Sequence, residues 1–344
     1  MRRIRYFAVL TLVAALLAAC SGSKPAEPAK PATPAPAAAP AEKTWAPEKQ
    51  VTLVVPYSAG GSSDLLARAV EKVWPKFVNQ PLVVVNKAGA GGFEAREGVV
   101  RGAADGYTLM MGYGSGEDLV VPQLRKTNVD VFNDFIAVSR LSVHSVMIAV
   151  PANSEFKSIK DVVEWAKKNN KPVTAAVATA AGAVDIVMRG IGKAAGIQVT
   201  PVPHQGGSQA ITTLVGGQTM IGGGHPPELI AHVKAGRLRI IGVATPERDP
   251  AMPDVPTLKE QGINFSTWGS VKGISVAKGT APEIVKYYED VFKKMTEDPD
   301  FKKTMADMVQ PVQYQNSKDF TAFIKAAYDD YTKIIKDNDI KLAQ

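Results

Sequence analysis

The sequence predicts an α/β protein of two doubly wound domains joined by crossing strands, with a ligand cleft between them. Three observations predict it. Short β-branched runs alternate with amphipathic helical patterns from near Trp45 onward. The folded stretch of about 300 residues is long for a single open sheet. Several of the apolar runs end in a glycine-rich loop directly before a helix start, where such folds place their ligand sites.

Taken in order, Val51–Val55 reads as a strand, and Asp64–Trp74 sets Leu65, Leu66, Ala69, Val70 and Val73 on one helical face. Pro81–Val85 and Tyr107–Met111 read as strands flanking a helix over Phe93–Val100. Strands are expected at Val143–Val150, Val173–Val177, Val199–Val202, Met220–Ile221 and Arg239–Ala244. Helices are expected between them at Ile159–Lys168, Asp185–Ala195, Ser208–Val215 and Pro227–Ala235. This alternation predicts parallel sheets covered by helices. The last third reads as helices over Ala281–Thr296, Asp298–Met308 and Ser317–Asp337, with Pro282 in a first turn and Ser317 as an N-cap. Val143–Val150 and Trp268–Val276, with Trp268 in its core, are the apolar strands placed to cross between domains. The first domain would then hold residues 45–147 and 268–344, and the second residues 148–267.

The N-terminus reads as an export signal. Arg2, Arg3 and Arg5 precede an apolar stretch from Tyr6 to Ala19 that is too short to span a bilayer as a mature helix. It ends in Leu17-Ala18-Ala19-Cys20, which resembles a lipobox, so residues 1–19 are expected to be removed and Cys20 to carry a lipid. Cys20 is the only cysteine, so a lipidated chain keeps no thiol for a disulfide, a metal or a nucleophile. Residues 20–44 are dominated by Ala, Pro, Lys and Glu and cannot bury enough apolar surface to order themselves. As an extended tether at ~3.1 Å per residue they reach roughly 70 Å. The formal charge of +7 falls to +4 without the three arginines of the signal, and the remaining lysines lie beside acidic residues. This is a solvated surface, not a nucleic-acid footprint.

The chemistry is expected in five loops. The first is Pro56-Tyr57-Ser58-Ala59-Gly60-Gly61-Ser62-Ser63-Asp64. Its glycines let backbone approach a ligand, Ser62 or Ser63 can cap the helix, and the free N–H groups of the first turn make an anion site. Asp64 braces the loop and suits the first helical turn. Tyr57 is a candidate pocket wall. The second loop, Asn86 to Gly92, offers Ala90, Gly91 and Gly92, and the third offers Thr179, Gly182 and Ala183. The fourth is His204-Gln205-Gly206-Gly207-Ser208, with His204 as a pocket-lining hydrogen-bond donor, and the fifth ends in Gly224-His225.

The ordered series of segments resembles the extracytoplasmic solute receptors of tripartite tricarboxylate transporters, the Bug family. The resemblance runs from Val51 to the C-terminus. It is carried by Val54–Asp64 with Ala67-Arg68, by Asn86–Gly92, Asp105–Leu109, Val202–Gly207 and Gly216-Gly217-Gln218, and by Lys234–Leu238, Arg248 and Met252–Thr257. It implies a type II periplasmic-binding-protein fold in which the first two glycine loops grip a carboxylate and the second domain reads the rest. It implies a di- or tricarboxylate, an acidic amino acid or an aromatic acid as ligand, and permease subunits as partners. No cofactor, metal or nucleic acid is implied, and a monomer is expected on the outer face of the cell membrane, or on the periplasmic side of a Gram-negative envelope. Two departures fall in the selectivity half. The family usually has Tyr-Lys-Gly where this chain has His204-Gln205-Gly206, and Gly-Ser where it has Gly182-Ala183.

Two other readings compete. A zinc receptor could draw on His204, His225 and His232, although their spacing is not that of a metal motif. A secreted hydrolase would need Gly-x-Ser-x-Gly, and Gly206-Gly207-Ser208-Gln209-Ala210 lacks the last glycine.

Overall fold

The computed structural model describes residues 45–341, so the signal segment 1–19, Cys20 and the tether to residue 44 lie outside the described residues. The first stretch runs β1 (Val51–Val55), α1 (Ser62–Val73), β2 (Leu82–Asn86), α2 (Phe93–Val100), β3 (Thr108–Tyr113), α3 (Gly116–Leu124) and β4 (Phe135–His144). The middle runs β5 (Met147–Pro151), α4 (Ile159–Asn169), β6 (Val173–Val177), α5 (Ala183–Ala195), β7 (Val199–Pro203), α6 (Gly207–Val215), β8 (Ile221–Gly224), α7 (Pro226–Lys234) and β9 (Leu238–Val243). The chain ends with β10 (Ser270–Ala277), α8 (Pro282–Glu297), α9 (Pro299–Asp307) and α10 (Ser317–Asp337).

The strands form two five-stranded sheets, β2-β1-β3-β10-β4 and β7-β6-β8-β5-β9. Each is mixed where purely parallel sheets were expected. β1 runs parallel to β2 and β3, and β6 parallel to β7 and β8. The fourth strand in each sheet is antiparallel to both neighbours: β10 in the first and β5 in the second. These are the strands by which the chain enters a sheet from the other one. Apolar patterning reports burial and not direction, so it cannot distinguish such a strand from a parallel one.

Both faces of the first sheet are covered. Val51, Leu53 and Val55 pack with Leu66, Val70, Val73 and Trp74 of the α1 segment, while Val54 faces the opposite way with Phe93 and Met110. In the second sheet Met147, Ala149 and Ala176 pack against α6 and α7 through Ala210, Leu214 and Leu229. Ile148, Val173, Ala175 and Val177 pack on the other face with Ile186, Val187 and Ile191 of α5.

The single strand expected over Val143–Val150 is two strands. His144, the last residue of β4, pairs with Ser270, and Met147, the first of β5, pairs with Gly224 and Val243. Ser145 and Val146 make the passage. The return strand begins at Ser270, after Gly269, which has φ +107 and lies so close to the His144 carbonyl that a Cβ there would collide with it. The two passages therefore run side by side. Trp268, expected within the crossing strand, stands just before it and meets Phe323 and Tyr331 of α10 edge-on at 5.4 Å. Asn316, not Ser317, caps α10, because the Ser317 hydroxyl instead donates to the Ala137 carbonyl at 2.6 Å.

Candidate functional site

The carboxyl ends of the parallel strands of both sheets face one another, and the loops leaving them enclose a small cleft. Among the helices that begin at it are three that follow a glycine: α1 after Gly61, α5 after Gly182 and α6 after Gly206. None of the three has a side-chain cap. Ser62 and Ser63, expected to cap α1, lie inside its first turn because the helix starts earlier than predicted. Free N–H groups at uncapped helix starts favour an anion.

Contacts across the cleft hold the two sheets together. The Ser58 N–H donates to the Gln205 carbonyl at 3.1 Å. The Ser208 hydroxyl lies 3.1 Å from that of Ser58 and donates to the Ala59 carbonyl at 2.8 Å. The Thr179 hydroxyl donates to Glu117, and the Ser62 N–H donates to Glu228 Oε1 at 2.7 Å. Little room remains between them: the central space is about 30 Å³, enough for roughly one or two waters.

The cleft carries three charged side chains that loop reading does not reveal: Glu117, Glu228 and Lys272. Glu117 stands in the first turn of α3 and also accepts from the Tyr57 hydroxyl at 3.0 Å. Burial alone would raise its carboxyl. The Thr179 hydrogen bond, its own helix backbone and the charges of Arg96 and Lys272 outweigh burial and hold it below the usual carboxylate range. Under it lies a buried ion pair, Arg96 with Asp118, and Arg96 also donates to Ser115 at 3.2 Å. Lys272 is 4% exposed, and among the described residues no carboxylate lies within ion-pair distance of it. Among the described residues its one side-chain hydrogen bond is to the Ser270 hydroxyl at 3.3 Å. Burial pulls its pKa down, against the opposing pull of Glu228 and Glu117. The register of β10 on β4 slips between Lys272 and Gly273, and such a bulge re-aims the adjoining side chain.

Tyr57, Gly61, Ser62, Thr179, Gly182, Ala183, Gly206, Gly207 and His225 line this cleft. Ala90, Gly91 and His204 line a larger neighbouring groove that shares Thr179. The second glycine loop and His204 are thus set apart from the first loop. The His204 ring is engaged on both sides, with the Val177 carbonyl at 3.1 Å and the Thr213 hydroxyl at 2.8 Å. Asp64 braces its loop by accepting from the Gly60 N–H at 2.8 Å and pairs with Arg68. Gly92 packs on Pro56 and Arg96, and Gly224 sits on β8 opposite Met147. His225 caps α7 and touches the Ser145 carbonyl at 3.1 Å. Burial and then the Lys272 charge push its ring down to about 4, and the neighbouring His144 ring is lowered well below 6.5, first by burial. Among the described residues no group of three metal-ligating side chains forms, and no helix is long and apolar enough to cross a membrane.

The sequence carried one signal for Lys272: it is the only charge between Phe265 and Ala277. Glu117 had none, because Gly114-Ser115-Gly116 reads as a loop and Pro122 breaks the helical pattern of α3. Glu228 reads as an ordinary first-turn acid, which it also is.

Two mixed sheets with a cleft between them give this chain the two-domain α/β fold of the periplasmic binding proteins. The family model described as tripartite tricarboxylate transporter family receptor matches residues 66–340. The UPF0065 protein in the gbd 5' region of Cupriavidus necator is 31% identical over 277 residues, covering 80% of this chain and 84% of that protein. A solved periplasmic transporter is 28% identical with a TM-score of 0.78, covering 86% of this chain and 99% of its own. An R. palustris protein solved with adipate shares the fold at a TM-score of 0.80 and 23% identity, over 86% of this chain and 99% of its own. This chain belongs to the tripartite tricarboxylate transporter receptor family.

Proposed function

We propose that this chain is an extracytoplasmic, lipid-anchored receptor that captures a small organic carboxylate between its two lobes and delivers it to the permease subunits of a tripartite transporter. It acts by binding and not by catalysis. The observation that carries the reading is Lys272, a buried cation without a carboxylate partner among the described residues, in a cleft where α1, α5 and α6 begin without a cap from their own N-cap residues. An ammonium taken out of water is costly unless an anion meets it, so a ligand carboxylate completes the site. The R. palustris relative solved with adipate supports an acid of this class. Domain 1 (45–147 and 268–344) and domain 2 (148–267) act as the jaws, pivoting on the paired passages near His144 and Gly269. The lipid on Cys20 and the tether to residue 44 keep the monomeric receptor at the membrane while letting it reach the permease.

Thermal melting of the full chain with di- and tricarboxylates, acidic amino acids, aromatic acids and zinc tests the reading. A ligand at 100 times its dissociation constant adds about 2.7 kcal/mol, a readily visible shift. A shift with one acid class is expected. A shift with zinc alone, or with no acid, overturns the carboxylate reading. Cys20→Ser is expected to release the protein from the membrane fraction, and retention there overturns the anchor.

A further inference from the structure

We infer that Glu228 is the cleft's own stand-in for a ligand carboxylate, and that it sets specificity by making every incoming acid compete for the amino end of α1. The inference deepens the receptor reading and rests on it for the location of the site. Glu228 belongs to α7 on the second sheet, and Ser62 opens α1 on the first. Glu228 Oε1 nevertheless accepts from the Ser62 N–H at 2.7 Å, while Oε2 accepts from the His225 N–H at 3.0 Å. Glu228 is 8% exposed. No side chain from the first lobe caps α1, so its anion comes from across the cleft.

The surroundings are cut to let this carboxylate in. A Cβ on Gly207 would collide with the Glu228 carboxyl group, and one on Gly61 would stand 3.5 Å from Oε1. The central space of about 30 Å³ does not admit an organic acid beside Glu228. Binding at α1 therefore exchanges one carboxylate for another. A ligand gains little from the α1 cradle alone, and what it gains comes from a second group that meets Lys272. Glu228 in this way penalises acids that offer only one contact.

The test follows the Ser62 amide and ligand affinity in the full chain, in wild type, Glu228→Ala and Glu228→Gln. Glu228→Gln keeps an oxygen acceptor and the His225 contact, so it stays folded if Glu228→Ala does not. Hydrogen exchange at Ser62 without ligand is expected to quicken at least tenfold in Glu228→Ala, with an intermediate effect in Glu228→Gln. Unchanged exchange in both overturns the inference. In calorimetry with adipate, affinity is expected to rise at least tenfold on removal of Glu228. A fall makes Glu228 a partner of the ligand and not its competitor, which also overturns the inference. If no form binds adipate, the choice of acid is wrong, and the exchange at Ser62 alone decides for or against the stand-in.

Discussion

Lys272 and His225 sit in the same enclosed space and respond to it in the same direction, each losing basicity to burial. For Lys272 this separates function from stability. Lys272→Met keeps an unbranched side chain one atom shorter and removes a charge that lacks a carboxylate partner among the described residues. Stability is expected to rise, on the order of 2 kcal/mol, while carboxylate affinity falls about 100-fold, the size of a lost charged contact. Calorimetry and denaturant titration read the two separately, and a parallel loss of both would remove Lys272 from the site. His225 titrates at about 4 in the folded chain against about 6.5 unfolded. Between those values the unfolded chain holds a proton that the folded chain refuses. Stability therefore rises with pH across this window and is lost as the solution is acidified from 6.5 toward 4, by on the order of 3 kcal/mol. His144, depressed by burial, acts in the same sense. His225→Asn keeps a good cap for α7, and its melting temperature is expected to vary less with pH over that range.

At the scale of elements, α3 shows how much of the site could be read in advance. The five glycine loops were legible because an apolar run stops at glycines before a helix, and that pattern is written in adjacent residues. The helix α3 was not legible, because its start looks like a turn and its middle holds Pro122. Its first-turn acids make sense only beside Arg96, about twenty residues away on α2. Lys272 gave only the signal of a lone charge: a lysine between Val271 and Gly273 also reads as a solvent face, and only its place inside a sheet of crossing strands buries both faces. Breaking the Arg96–Asp118 pair tests the platform beneath Glu117. Arg96→Met leaves a buried carboxylate uncompensated and is expected to cost about 3–5 kcal/mol, and adding Asp118→Leu should recover most of it. Chemical denaturation of the single and double variants checks this. Gly207→Ala, at the start of α6, is expected to prop the cleft open through its clash with Glu228. Scattering should then show a larger radius of gyration with little change in melting.

For the whole molecule, the paired passages are where the chain moves between the two sheets. Gly269 combines a left-handed φ of +107 with contact against the His144 carbonyl, so any side chain there is strained and crowded. Gly269→Ala is expected to destabilise the chain by about 1–3 kcal/mol and to slow ligand binding in stopped-flow more than it changes the final affinity.

The antiparallel fourth strands also order events in time. The second sheet is complete by Val243, since β5 to β9 are contiguous in the chain. The first sheet lacks β10, which must slot between β3 and β4 after more than a hundred intervening residues. Long-range pairing of this kind is slow. A growing chain thus finishes its second sheet before its first. Until residues near 277 arrive, β3 and β4 present unpaired edges, the surface most exposed to mispairing and to chaperones during biogenesis.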